Sequence, residues 1–151
     1  MKTRAFIFVS LSLFALKLLL ISANEIITLP YDSFEYAKMS IAETWKLGSM
    51  PPGYPIWLKA SRSFGVPQRL AIEFLLFLSS AYLGFVTRRM LGTIPALLLV
   101  ALLTFSPFNY NLLDYALSDG FFSILSLFAI AVTAQLIFMQ PARAKEAMLV
   151  D

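Results

Sequence analysis

Long apolar runs separated by short polar stretches set the pattern of this chain. Residues 5–23 (AFIFVSLSLFALKLLLISA) carry one charge, Lys17. Three further runs cover residues 70–87, 90–108 and 121–139. At about 1.5 Å of rise per residue, roughly 20 residues cross the hydrocarbon core of a bilayer, and each run is near that length. The pattern predicts an all-α membrane protein of about four transmembrane helices. A cleaved signal peptide is the alternative for the first run, because Ser22-Ala23 could end one. Against it, a signal's apolar core is usually about 7–15 residues, and a lysine inside it is unusual.

Between the first two runs, residues 24–68 form a polar and aromatic connector. Ser33 to Leu47 reads as an amphipathic helix, with Phe34, Met39, Ile41, Ala42 and Trp45 on a broken apolar face. Gly48 and the stretch MPPGYP stop it. A second short helix is expected from Ile56 to Phe64, after Pro55 and ending at Gly65. These one or two helices fit the interface plane, with Trp45, Tyr54 and Trp57 at headgroup depth. Residues 109–120 form a short linker, and residues 140–151 a mixed polar tail. No repeat divides the chain, which is expected to be a single membrane domain.

Composition agrees with lipid as the solvent. Of 151 residues 59% are hydrophobic and only 14% charged, with a mean hydropathy of +0.76. A soluble domain is nearer 25% charged. Without cysteine, disulfides and thiolate metal sites are excluded, and without histidine so are Ser-His-Asp chemistry and His-ligated zinc. Any acid or base must be Asp, Glu, Lys or Tyr. The net charge of +3 is scattered rather than gathered in a stripe, so nucleic acid is not expected as a partner and membrane lipid is. Lys2, Arg4, Arg88, Arg89, Arg143 and Lys145 fall on one side of a four-span arrangement, and the positive-inside rule makes that side cytoplasmic. Lys38, Lys46, Lys59 and Arg62 in the long connector pull the other way. Both termini are then cytoplasmic, in an inner (cytoplasmic) cell membrane, with Asp32, Asp114 and Asp119 outside.

Asp32-Ser33-Phe34-Glu35 has the form of a capping box, in which Asp32 accepts a backbone amide and Glu35 reaches back. A carboxylate beside low-dielectric lipid can equally serve as a proton acceptor, and a capped helix end is a rigid mount for one. Lys17 can snorkel to the surface or face the bundle and hold a lipid phosphate. Arg69 and Glu73, four apart, suit a local ion pair. Asp119 suits the start of the last span, where a carboxylate is favourable in any case.

The stretch from Tyr31 to Gly65 carries a resemblance. Asp32-Ser33-Phe34-Glu35-Tyr36, then Pro51-Pro52-Gly53-Tyr54-Pro55, then Phe64-Gly65, resemble the first outer loop of integral-membrane glycosyltransferases of the GT-C superfamily. The closest similarity is to bacterial proteins related to dolichyl-phosphate-mannose–protein mannosyltransferases. TRRMLG (87–92), SPF (106–108) and LSDGFF (117–122) resemble that family's basic turn, the proline ending its third span and the acidic start of its fourth. The Pro-Pro-Gly-Tyr-Pro element is the most specific of these.

The resemblance implies transfer of a sugar from a polyprenyl-phosphate donor to a hydroxyl of a glycan, lipid or protein, with inversion, at the outer face. It assigns Asp32 as the base, Glu35, Tyr36 and Tyr54 to orient the base or acceptor, and Asp119 as a secondary acid. Lys59, Arg62 and Arg69 are candidates for the donor phosphate, although headgroup-facing charge explains Lys59 and Arg62 as well. No cofactor is required; Asp32, Glu35 and Asp119 are the oxygens that could hold a divalent Mg or Mn. Family members have many more spans, so the resemblance implies the N-terminal part of a longer enzyme. The rival expectation is a small non-catalytic polytopic membrane protein, an assembly partner or transporter fragment, in which Asp32 only caps a helix.

Overall fold

The computed structural model describes residues 3–22, 31–41, 53–107 and 118–147. Six helices make up its principal elements: α1 (Thr3–Ser22), α2 (Tyr31–Ile41), α3 (Gly53–Ser63), α4 (Gln68–Leu91), α5 (Thr93–Thr104) and α6 (Ser118–Ala147). The fold is all-α, as the apolar runs predict. Three stretches are long and apolar enough to cross a membrane: Thr3–Ile21, Gln68–Leu91 and Asp119–Phe138. Phe8, Ile94 and Leu102 are each at least 70% exposed, and they belong to outer faces rimmed with further leucine and isoleucine. Faces of that kind need lipid rather than water. The chain is a multi-pass membrane protein in design.

The expected third span differs. Helix α4 does not stop before Arg88-Arg89 but carries them in its last turn. Nothing in TRRML breaks a helix, and the chain turns only at Gly92, whose φ of 85° suits a residue without a Cβ. Helix α5 therefore starts at Thr93 and closes at Phe105, whose amide donates to the Ala101 carbonyl. Its 12 residues reach about 18 Å, short of the roughly 30 Å core. The last helix runs past the expected 139 to Ala147, into the stretch expected as a tail.

Helix α4 is the hub, packed against α1, α3, α5 and α6. Its pairing with α1 is antiparallel, and four contacts in register show it. The Arg88 guanidinium donates to the Thr3 hydroxyl at 3.3 Å. Phe6 meets Phe85 edge-on at 6.3 Å. Phe14 stacks on Phe77 at 4.5 Å. Lys17 lies against Glu73. Helices α4 and α5 form a hairpin whose close approach is at Gly84. A Cβ there would fall 3.1 Å from the Ala96 carbonyl oxygen and collide with Val100 Cγ2. Helix α6 lies along the outer side of α4, where the Tyr82 hydroxyl donates to Gln135 Oε1 and Tyr82 packs on Phe128.

At the opposite end from Arg88, α2 and α3 cap the bundle. Tyr36, Tyr54 and Leu58 pack with Ile72 and Leu76 of α4 and Phe121 and Ile124 of α6. Helix α3 begins two residues before Pro55, which a first turn tolerates because its missing N–H has no helical partner there. It ends as expected at Gly65, in a left-handed conformation with φ 65°. The Val66 amide donates to the Ser61 carbonyl at 3.1 Å and the Gly65 amide to Arg62 at 3.0 Å, the paired bonds of a Schellman cap. Helix α2 begins at Tyr31, which puts Asp32 in its first turn. Trp45, Pro51, Pro52 and Asp114 fall outside the described residues, so the expectations resting on them do too.

Candidate functional site

The residues singled out in the sequence gather at the end of the bundle capped by α2 and α3, but they divide into three groups. The first is an aromatic cluster. Tyr54 is wholly buried, and its ring meets Tyr36 edge-on at 5.1 Å and Phe121 at 5.9 Å. Trp57 stacks on Phe121 at 5.7 Å. The Gln68 amide nitrogen donates to the Tyr54 hydroxyl. Burial pushes the Tyr54 hydroxyl well above the usual tyrosine range; the Gln68 bond offsets this in part, and neighbouring Tyr36 adds to it. Tyr54 is thus a neutral post that fixes α3 on α4, and Gln68 is the partner that sequence reasoning missed.

The second group is ionic and buried. Glu73 Oε1 lies 3.0 Å from Arg69 Nη2 and 3.8 Å from Lys17 Nζ. All three side chains are at most 5% exposed. The Lys17 ammonium also stands 5.9 Å from the centre of the Phe105 ring. The local Arg69–Glu73 pair is as the spacing suggests. Lys17 does not snorkel. It lies five residues before the end of α1, roughly 8 Å along the axis, and Glu73 meets it inside the bundle. A lone charge at that depth is costly, and pairing across the α1–α4 contact offsets the cost. A single charge in each of two apolar runs was the available signal, but the runs do not say which faces meet.

The third group is exposed. Glu35 accepts from Lys38 Nζ at 3.1 Å along α2, instead of reaching back toward Asp32. Lys59 and Arg62 lie on the exposed side of α3, and Asp119 is exposed in the first turn of α6. Asp32 stands one helical turn before Tyr36, and Asp119 two residues before Phe121. The backbone of both acids therefore lies within a turn of the aromatic cluster. The Asp32 side chain lies outside the described residues. Among the described residues no three Asp or Glu side chains gather as metal ligands, and Asp32, one of the three expected oxygens, is not among those side chains.

Beside α3 runs an apolar groove of about 400 Å³. Trp57, Ala60 and Phe64 of α3 form one wall, and Leu70 and Phe74 of α4 with Phe14 of α1 the other. A second cavity of about 340 Å³ lies on the other side of the α3 cap, and Ser61 and Val66 line both. Arg62 and Gln68 line the second. Comparison with protein-family models, curated proteins and solved structures finds no match for this chain.

Proposed function

We propose that this chain supplies the first membrane helices and the first outer loop of a glycosyltransferase that uses a polyprenyl-phosphate sugar at the outer face of the cytoplasmic membrane. The observation that carries the reading is the aromatic cluster. Tyr36, Tyr54 and Phe121 hold α2 and α6 together, so the first turns carrying Asp32 and Asp119 share one end of the bundle. Rigid mounting of this kind is what a surface carboxylate needs to act as a base.

In the proposed reaction an acceptor hydroxyl oxygen attacks the anomeric carbon as the bond from that carbon to the phosphate oxygen breaks. The hydroxyl proton passes to the Asp32 carboxylate, and the polyprenyl phosphate leaves with the bonding electrons. A hydroxyl is a weak nucleophile at neutral pH, and a general base contributes about 10²–10⁴-fold. Arg69 is committed to Glu73, and Lys59, exposed on α3, is the cation assigned to the leaving phosphate. Glu35 is engaged with Lys38 along the exposed side of α2.

Sugar transfer by membranes containing the protein tests this. Asp32→Asn should lower transfer at least about 100-fold while insertion stays normal, because Asn still suits a helix start. Undiminished transfer would falsify the assignment. A non-catalytic membrane protein is the second reading. It is favoured by the ion pairs Arg69–Glu73 and Lys38–Glu35, which engage two residues the enzyme reading had set aside for the donor phosphate and the acceptor.

A further inference from the structure

We infer that the groove beside α3 seats one acyl chain of an anionic glycerophospholipid, with the headgroup phosphate on Arg62. This goes beyond sugar transfer and does not depend on it. Three observations carry it. The groove walls are apolar and aromatic along their length, from Phe64 on α3 to Phe74 and Phe14 inside the membrane-spanning helices. At the α3 cap the groove adjoins the second cavity, where Arg62, Ser61 and Gln68 supply polar groups. An apolar slot that shares Ser61 and Val66 with a cationic corner complements an amphiphile with a negative head.

The groove of about 400 Å³ opens to the side, so it takes one chain of an amphiphile lying along it, and phospholipid is the amphiphile that surrounds a helix bundle in a bilayer. Arg62 has no carboxylate within ion-pair distance among the described residues, and it is exposed in the last turn of α3. Its guanidinium offers the fork of donors that suits a phosphate.

Native mass spectrometry of the protein released from bilayers of phosphatidylglycerol and phosphatidylcholine tests the inference. The expected result is one retained phosphatidylglycerol for each chain. Arg62→Gln should cut that retention about tenfold, as loss of a charge-assisted contact does, and erase the headgroup preference. Arg62→Lys should keep most of the preference. Ala60→Phe, which fills the groove and leaves the charge in place, should lower retention of both lipids. Retention blind to headgroup charge, or unchanged by Ala60→Phe, overturns the inference. So does displacement of the phospholipid by an equimolar polyprenyl phosphate, which would assign the groove to a longer chain.

Discussion

Glu73 shows how much one side chain can control in this protein. Its carboxylate is the anion between two buried cations, one on its own helix and one on α1. Removing one member of a buried ionic group costs about 3–5 kcal/mol because the others keep their desolvation penalty. Glu73→Ala should therefore cost about that much, read as the shift in a denaturant unfolding curve in mixed micelles. Lys17→Met should cost less, since Arg69 still holds Glu73 at 3.0 Å. Equal losses would show that the contact across helices, not the local one, dominates. Tyr54 makes a pH prediction with a definite sign. Its folded-state pKa lies above the unfolded value. Stability is then whole below about pH 10, the ordinary tyrosine value. It falls as pH rises further, because the unfolded chain releases a proton that the folded chain keeps. Tyr54→Phe should remove this alkaline dependence; an unchanged pH profile would mean that another group causes it.

Among the helices, α4 decides the arrangement, and Gly84 sets how closely α5 approaches it. A side chain there meets Val100 and the Ala96 backbone at once. Overpacking of a close contact costs about 1–3 kcal/mol, so Gly84→Leu should lower the thermal midpoint of the detergent-solubilised protein and loosen the α4–α5 hairpin. A midpoint equal to that of the unchanged protein would contradict the close approach. The same element shows what periodicity can miss. The apolar stretch from residue 90 to 108 looks like one span. Its first two residues belong to α4, and the positive-φ Gly92 turn delays the next helix. Counting apolar residues finds the stretch. Only backbone geometry at one glycine shows where it is divided.

For the molecule as a whole, the register of α1 on α4 brings Thr3 to Arg88 and leaves α2 and α3 at the far end. With basic residues clustered at the Thr3 end, the positive-inside rule predicts that this end faces the cytoplasm. The protein has no native cysteine, so single introduced cysteines report position without background. Thr3→Cys and Met90→Cys should react with an impermeant label only after the membrane is opened, and Ser63→Cys should react before. If Met90→Cys reacts before the membrane is opened and Ser63→Cys only after, the orientation is wrong and the proposed outer-face chemistry goes with it.

Composition and apolar run length were enough to establish an all-α chain in lipid, its main apolar segments and the absence of histidine and thiol chemistry. These follow from transfer free energy and from which side chains are present, and neither depends on which faces meet. The ends of α3, the hub position of α4 and the partners of Lys17 and Tyr54 are of another kind. Gly65 and Pro67 announce the end of α3 locally. Nothing local pairs Lys17 with Glu73, or Gln68 with Tyr54 fourteen residues away. Those pairings arise because a buried polar group must find a partner in whichever helix packs beside it. Only the tertiary structure decides which helix that is.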